Sequence, residues 1–146
     1  MTQQPPVRIL IIDDNPTHSM LLETILQQAG YEIHKELNIE DGLATFLETN
    51  PQLIISDLCF GGEIDEGLIL DEKLRKLEGD KPIPILYITL CKDRSVIDKI
   101  DAMQRPVARL FKPVSREDLL RYVNKLLHPE EAEKDGLQVS SNNRKR

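Results

Sequence analysis

Four short apolar runs, each ending abruptly in a residue that carries chemistry, constrain this chain more than any bulk property does. Leu53-Ile54-Ile55-Ser56 stops at Asp57, and Val7-Arg8-Ile9-Leu10-Ile11-Ile12 stops at Asp13 and Asp14. Ile83-Pro84-Ile85-Leu86-Tyr87-Ile88 stops at Thr89, and Val107-Ala108-Arg109-Leu110-Phe111 stops at Lys112. Short apolar runs bounded by Gly and Pro read as strands buried on both faces, the pattern of a parallel sheet. In an open α/β sheet the reactive crevice lies beyond the carboxyl ends of the strands. Parallel packing would therefore gather the carboxylates of Asp13, Asp14 and Asp57, the Thr89 hydroxyl and the Lys112 ammonium at one edge.

The segments between the runs read as helices. Asn15 before Pro16 gives an N-cap with proline at the first helical position. Leu21, Leu22, Ile25, Leu26 and Ala29 then form an apolar stripe that ends at Gly30. Tyr31 to Lys35 alternates as a less buried strand near a sheet edge does. Asn38 with Asp41 resembles a capping box, and Leu43, Phe46 and Leu47 are expected to face inward until Asn50-Pro51 ends the helix. After Asp57 comes a long loop with Gly61-Gly62 and the acids Glu63, Asp65 and Glu66, then a helix bearing Leu68, Ile69, Leu70, Leu74 and Leu77. Asp93 is placed to cap a helix with Val96, Ile97, Ile100 and Met103. Ser115 with Asp118 is placed to cap a last one with Leu119, Leu120, Val123, Leu126 and Leu127.

Five strands alternating with five helices is the doubly wound α/β signature. We expect one domain over residues 7–127, a mobile leader over 1–6, and a disordered tail or linker over 128–146, where apolar patterning gives way to charge. A chain of 146 residues suits a single core, and a net charge of −6 argues against a nucleic-acid footprint. The basic end Arg144-Lys145-Arg146 is too short to change that. With no long apolar stretch and no signal-type leader, the chain reads as soluble and cytoplasmic, with no membrane partner. Cys59 and Cys91 lack metal-type spacing and read as free thiols.

Clustered carboxylates repel one another unless a cation sits among them. A hard-oxygen set favours Mg²⁺, which takes one or two carboxylates and leaves room for a phosphate oxygen. The backbone carbonyl of Cys59 is a further candidate ligand. Lys112 and Thr89 supply donors for phosphoryl oxygens, and an aspartate attacking phosphorus forms an acyl phosphate.

Asp13-Asp14, Asp57, Thr89 and Lys112-Pro113, in that order and each at a strand end, resemble the receiver domain of two-component response regulators. The resemblance runs from Val7 to about Leu127. It implies a flavodoxin-like (CheY-like) five-stranded parallel sheet in the order 2-1-3-4-5. It implies Mg²⁺-dependent transfer of a phosphoryl group from a histidine kinase or phosphotransfer protein to Asp57. Asp13 and Asp14 match the metal-binding pair, Thr89 the switch hydroxyl and Lys112 the phosphate-sensing lysine. Catalysis would be limited to the chain's own phosphorylation and dephosphorylation. The surface of helix 4, strand 5 and helix 5 would then meet a downstream protein effector or form a homodimer.

The chain also departs from the family. Arg109 stands where an aromatic residue is usual, Leu90 follows Thr89 where a small residue is common, and Arg105-Pro106 replaces a common Gly-Ala. Arg109, Leu90 and the unusual loop of Gly61-Gly62 with Glu63, Asp65 and Glu66 support an alternative: a pseudo-receiver, an interaction module that keeps the fold without the switch. An aspartyl phosphatase would want an acid two residues after Asp57, where this chain has Cys59. His18 reads as a surface histidine, since no ATP-binding pattern accompanies it.

Overall fold

The computed structural model describes residues 5–58 and 66–130. The strands are β1 (Arg8–Ile12), β2 (Glu32–Glu36), β3 (Leu53–Ser56), β4 (Ile85–Thr89) and β5 (Val107–Phe111). The helices are α1 (Pro16–Gln28), α2 (Ile39–Thr49), α3 (Glu66–Arg75), α4 (Arg94–Asp101) and α5 (Arg116–Leu127). The strands form one parallel sheet in the order β2-β1-β3-β4-β5. The register pairs Ile12 with Ser56 and Thr89 with Phe111, so the carboxyl ends of β1, β3, β4 and β5 line one rim.

Strand parity sorts the core into two layers. Leu10, Ile12, Ile54, Ile85, Tyr87 and Val107 face Ile39, Leu70, Leu74, Val96 and Ile100. Ile9, Ile11, Leu53, Ile55, Leu86, Ile88 and Ala108 face Leu22, Leu26, Leu119, Val123 and Leu126. Each buried Leu, Ile or Val side chain contributes roughly 1.5–3 kcal/mol on leaving water. Strands β1, β3 and β4 are buried on both faces, whereas the edge strand β2 is only partly covered.

Local signals set the element ends. Asn15 Oδ1 accepts from the Thr17 and His18 N–H groups, and Pro16 opens α1. Gly30 follows that helix at φ 101°, a conformation costly to any residue with a Cβ. Asn38, Asp93 and Ser115 cap α2, α4 and α5, and Asn50 closes α2 in the left-handed region. Strand β4 starts at Ile85 rather than Ile83, since Pro84 has no N–H to give a ladder. The Lys112-Pro113 peptide is cis.

Several apolar residues expected inside lie outside. Leu21, Leu47 and Leu77 are exposed, as is Ala29. In α2 the inward line runs through Ile39, Gly42 and Thr45. Gly42 lies so close to the sheet that a Cβ there would sit 2.5 Å from Ile12 Cδ1. A helix seated on its smallest residue turns Leu47 to solvent. The expected leader lies largely, and the expected tail almost wholly, outside the described residues.

Candidate functional site

The ladder continues one residue past each strand end and so fixes the backbone of the rim. The Asp57 N–H donates to the Ile12 carbonyl at 3.1 Å, Asp13 N–H to the Glu36 carbonyl at 3.1 Å, and Lys112 N–H to the Thr89 carbonyl at 2.9 Å. Asp13, Asp14 and Asp57 each offer a carboxylate oxygen, and these oxygens lie within 4.8 Å of one another. Asp13 and Asp57 are buried while Asp14 is exposed, so the cluster opens to solvent on one side.

Lys112 Nζ reaches into this cluster, 2.9 Å from Asp57 Oδ2 and 3.7 Å from Asp13 Oδ2. Asp57 Oδ1 accepts from the Leu58 N–H at 2.6 Å. Lys112 thus sits against two of the three clustered carboxylates, Asp13 and Asp57. The donors are all hard oxygens, the set that suits Mg²⁺. The Cys59 carbonyl lies outside the described residues, as does the acidic stretch Glu63 and Asp65.

Thr89 is buried at the end of β4, and its Oγ accepts from the Cys91 N–H at 3.1 Å. Cys91 is a free thiol. Leu90, 71% exposed, projects from the rim.

Three features escaped the sequence reading. His18 is not a solvated surface residue: its Nδ1 is 2.7 Å from Asp13 Oδ2, and only 14% of its side chain is exposed. Burial works to raise the Asp13 pKa, but the His18 and Asn15 hydrogen bonds and the Lys112 charge outweigh it and hold the carboxyl below its ordinary value. The link from Asp13 to the first turn of α1 follows no helical or strand period, so no pattern announces it.

Gly67 forms the second feature. Its N–H donates to the Leu58 carbonyl at 3.0 Å, and the buried Tyr87 hydroxyl donates to its carbonyl at 3.0 Å. A Cβ at Gly67 would lie 2.5 Å from Leu58 Cα and 2.6 Å from the Asp57 carbonyl oxygen, so only glycine lets α3 start this close to Asp57.

Arg105 forms the third. Its wholly buried guanidinium donates from Nε to Asp71 Oδ1 at 2.6 Å. It also donates to both Glu78 oxygens at 2.7 and 3.0 Å and to the Ile83 carbonyl at 2.8 Å. Burial alone would lower its pKa, but Glu78 and Asp71 more than compensate and raise it. The network ties α3 and the approach to β4 to the approach to β5. Arg109, in the usual aromatic position, forms an ion pair with Asp101 of α4 at 3.0 Å within the same chain.

This fold and rim define a CheY-like, doubly wound domain with an acidic crevice at the strand ends. Residues 9–124 match the model of the response regulator receiver domain, and the chain belongs to that family. It is 34% identical over 122 residues to Protein PilH of Pseudomonas aeruginosa, covering 82% of this chain and 97% of that protein. It is 34% identical over 121 residues to the DNA-binding dual master transcriptional regulator RpaA of Synechocystis, covering 82% of this chain but 48% of that protein. Among solved structures, a CheY-like receiver domain protein from Methanospirillum hungatei superposes with a TM-score of 0.75 at 28% identity, covering 90% of this chain and 100% of that one. Chemotaxis protein CheY4 of Vibrio cholerae shares the fold at a TM-score of 0.76 and 24% identity, covering 84% of this chain and 100% of that one. Among the described residues, no helix is long and apolar enough to cross a membrane.

Proposed function

We propose that this receiver accepts a phosphoryl group on Asp57 from a histidine kinase or phosphotransfer protein, and that the modified form is read by a downstream protein. The observation that carries the reading is the Lys112 ammonium 2.9 Å from Asp57 inside the cluster of Asp13, Asp14 and Asp57. An Asp57 oxygen attacks phosphorus in line, the donor's P–N bond breaks, and its electron pair returns to the imidazole nitrogen. The phosphoryl group ends as a mixed anhydride on Asp57. Asp13, Asp14, Asp57 and the Cys59 carbonyl would hold Mg²⁺, which when bound neutralises charge on the transferring oxygens.

Lys112 then exchanges its contact with the carboxylate for one with the new phosphoryl oxygens, and Thr89 turns its hydroxyl toward them. Phosphorylation adds about −1.5 to −2 charges, and the Lys112 N–H to Thr89 carbonyl bond couples β4 to β5 during the change. The surface of α4, β5 and α5 is the proposed output face, for an effector or a second copy of the chain. The chain is proposed to act in the cytoplasm and to catalyse only its own modification.

The Arg109–Asp101 pair favours a second reading, in which the fold serves as an interaction module without the switch. Beryllofluoride with Mg²⁺, a phosphoryl mimic, separates the two. The switch reading expects amide NMR shifts spreading from Asp57 to Thr89, Lys112 and α4, lost in Asp57→Asn. A spectrum unaltered by the mimic would overturn it.

A further inference from the structure

We propose that His18 is a positioning residue for the cation site: it holds Asp13 in the orientation that the bound metal requires. This rests on reading Asp13 as part of that site.

Asp13 needs external support. It closes β1, with its backbone N–H committed to Glu36, so its side chain alone can turn. Two of its neighbours, Asp14 and Asp57, repel it. Asn15 N–H fixes Oδ1 at 2.9 Å, and the only close donor to Oδ2 among the described residues is the His18 ring at 2.7 Å. Lys112 is farther from that oxygen, at 3.7 Å, and much closer to Asp57. An ionised carboxylate only accepts, so Nδ1 carries the hydrogen in this contact. Nε2 is buried and makes no hydrogen bond among the described residues. The imidazole thus spends its polar capacity on Asp13, at the cost of leaving a buried nitrogen unpaired.

The arrangement has a physical logic. When Lys112 leaves the carboxylates for a phosphoryl group, Asp13 loses the ammonium beside it. His18 stays, because it stands in the first turn of α1, whose start is fixed by the Asn15 cap. Asp13 therefore keeps its orientation through the exchange. Partners that orient a metal-ligating side chain typically contribute 10–100-fold to metal affinity.

The chemistry supplies a clean test. Asn Nδ2 is bonded to Cγ, as His Nδ1 is, so His18→Asn presents a donor at nearly the same point without the rest of the ring. His18→Phe keeps the ring and removes the donor. Mg²⁺ affinity is measured by calorimetric titration of the full chain, with each variant's folding checked by circular dichroism. We expect His18→Phe to bind Mg²⁺ roughly 10-fold more weakly and His18→Asn to stay within a few-fold of wild type.

Equal affinity in all three proteins would overturn the proposal. So would weak binding in His18→Asn with wild-type binding in His18→Phe, which would assign His18 to packing. Failure of the wild type itself to bind Mg²⁺ would overturn the functional reading along with this one. A wild type that binds with an indifferent His18→Phe would overturn this inference alone.

Discussion

Replacing Arg105 with methionine should destabilise the domain by about 3 kcal/mol, the lower end of the range for breaking a buried ion pair. The guanidinium is wholly buried and donates to Asp71, to both Glu78 oxygens and to the Ile83 carbonyl. Its loss strands two carboxylates whose side chains are only 9% and 4% exposed. The lower end is chosen because each acid keeps one partner: Asp71 keeps Arg75 at 3.4 Å, and Glu78 keeps the Ile83 N–H at 2.9 Å. For a domain of this size the melting temperature should fall by roughly 10 °C. Urea unfolding followed by circular dichroism should show a lower midpoint with an unchanged slope. Arg105→Met combined with Asp71→Leu and Glu78→Met should recover only part of the loss: apolar replacement of a buried ionic group is often neutral, but the Ile83 N–H and carbonyl lose their partners. A loss below about 1 kcal/mol for Arg105→Met alone would instead mean that the stranded acids reach water at little cost and that the network does not hold the domain together.

Gly67→Ala should lower stability by about 1–3 kcal/mol through overpacking and also weaken Mg²⁺ binding, since the new methyl would press on the backbone of Asp57 and Leu58; thermal melts with and without the ion check both. Tyr87→Phe should cost about 1–3 kcal/mol in urea unfolding by leaving the Gly67 carbonyl unpaired, and a neutral result would mean that carbonyl is solvated. Asp13 titrates below its ordinary value in the folded chain, so between the two values the unfolded state binds more protons. Its contribution is therefore complete above the ordinary carboxylate value and lost as the pH falls through the folded one. Metal-free urea midpoints should drop more steeply with acidification in wild type than in Asp13→Asn.

The sheet was legible in the sequence because burial on both faces leaves a direct mark: continuous apolar runs that stop at Asp13, Asp57, Thr89 and Lys112. Caps at Asn15, Asn38, Asp93 and Ser115 were legible for a related reason, since each is a local contest for orphan N–H groups decided within three residues. What stayed hidden depends on distance in sequence. Arg105 reads as a loop residue until Asp71 and Glu78, 34 and 27 positions away, are brought against it. His18 gained its partner through a turn that obeys no period. Leu47 misled for the opposite reason: the inward face of α2 is set by the small Gly42, which a count of apolar side chains passes over.

The proposed switch turns on the chemistry of one carboxylate. Intact-mass and peptide mass spectrometry of the chain after incubation with acetyl phosphate and Mg²⁺ should find one hydroxylamine-labile phosphoryl group on Asp57, absent without the ion and absent in Asp57→Asn. An unmodified chain under those conditions, or a phosphoryl group that persists in Asp57→Asn, would contradict it.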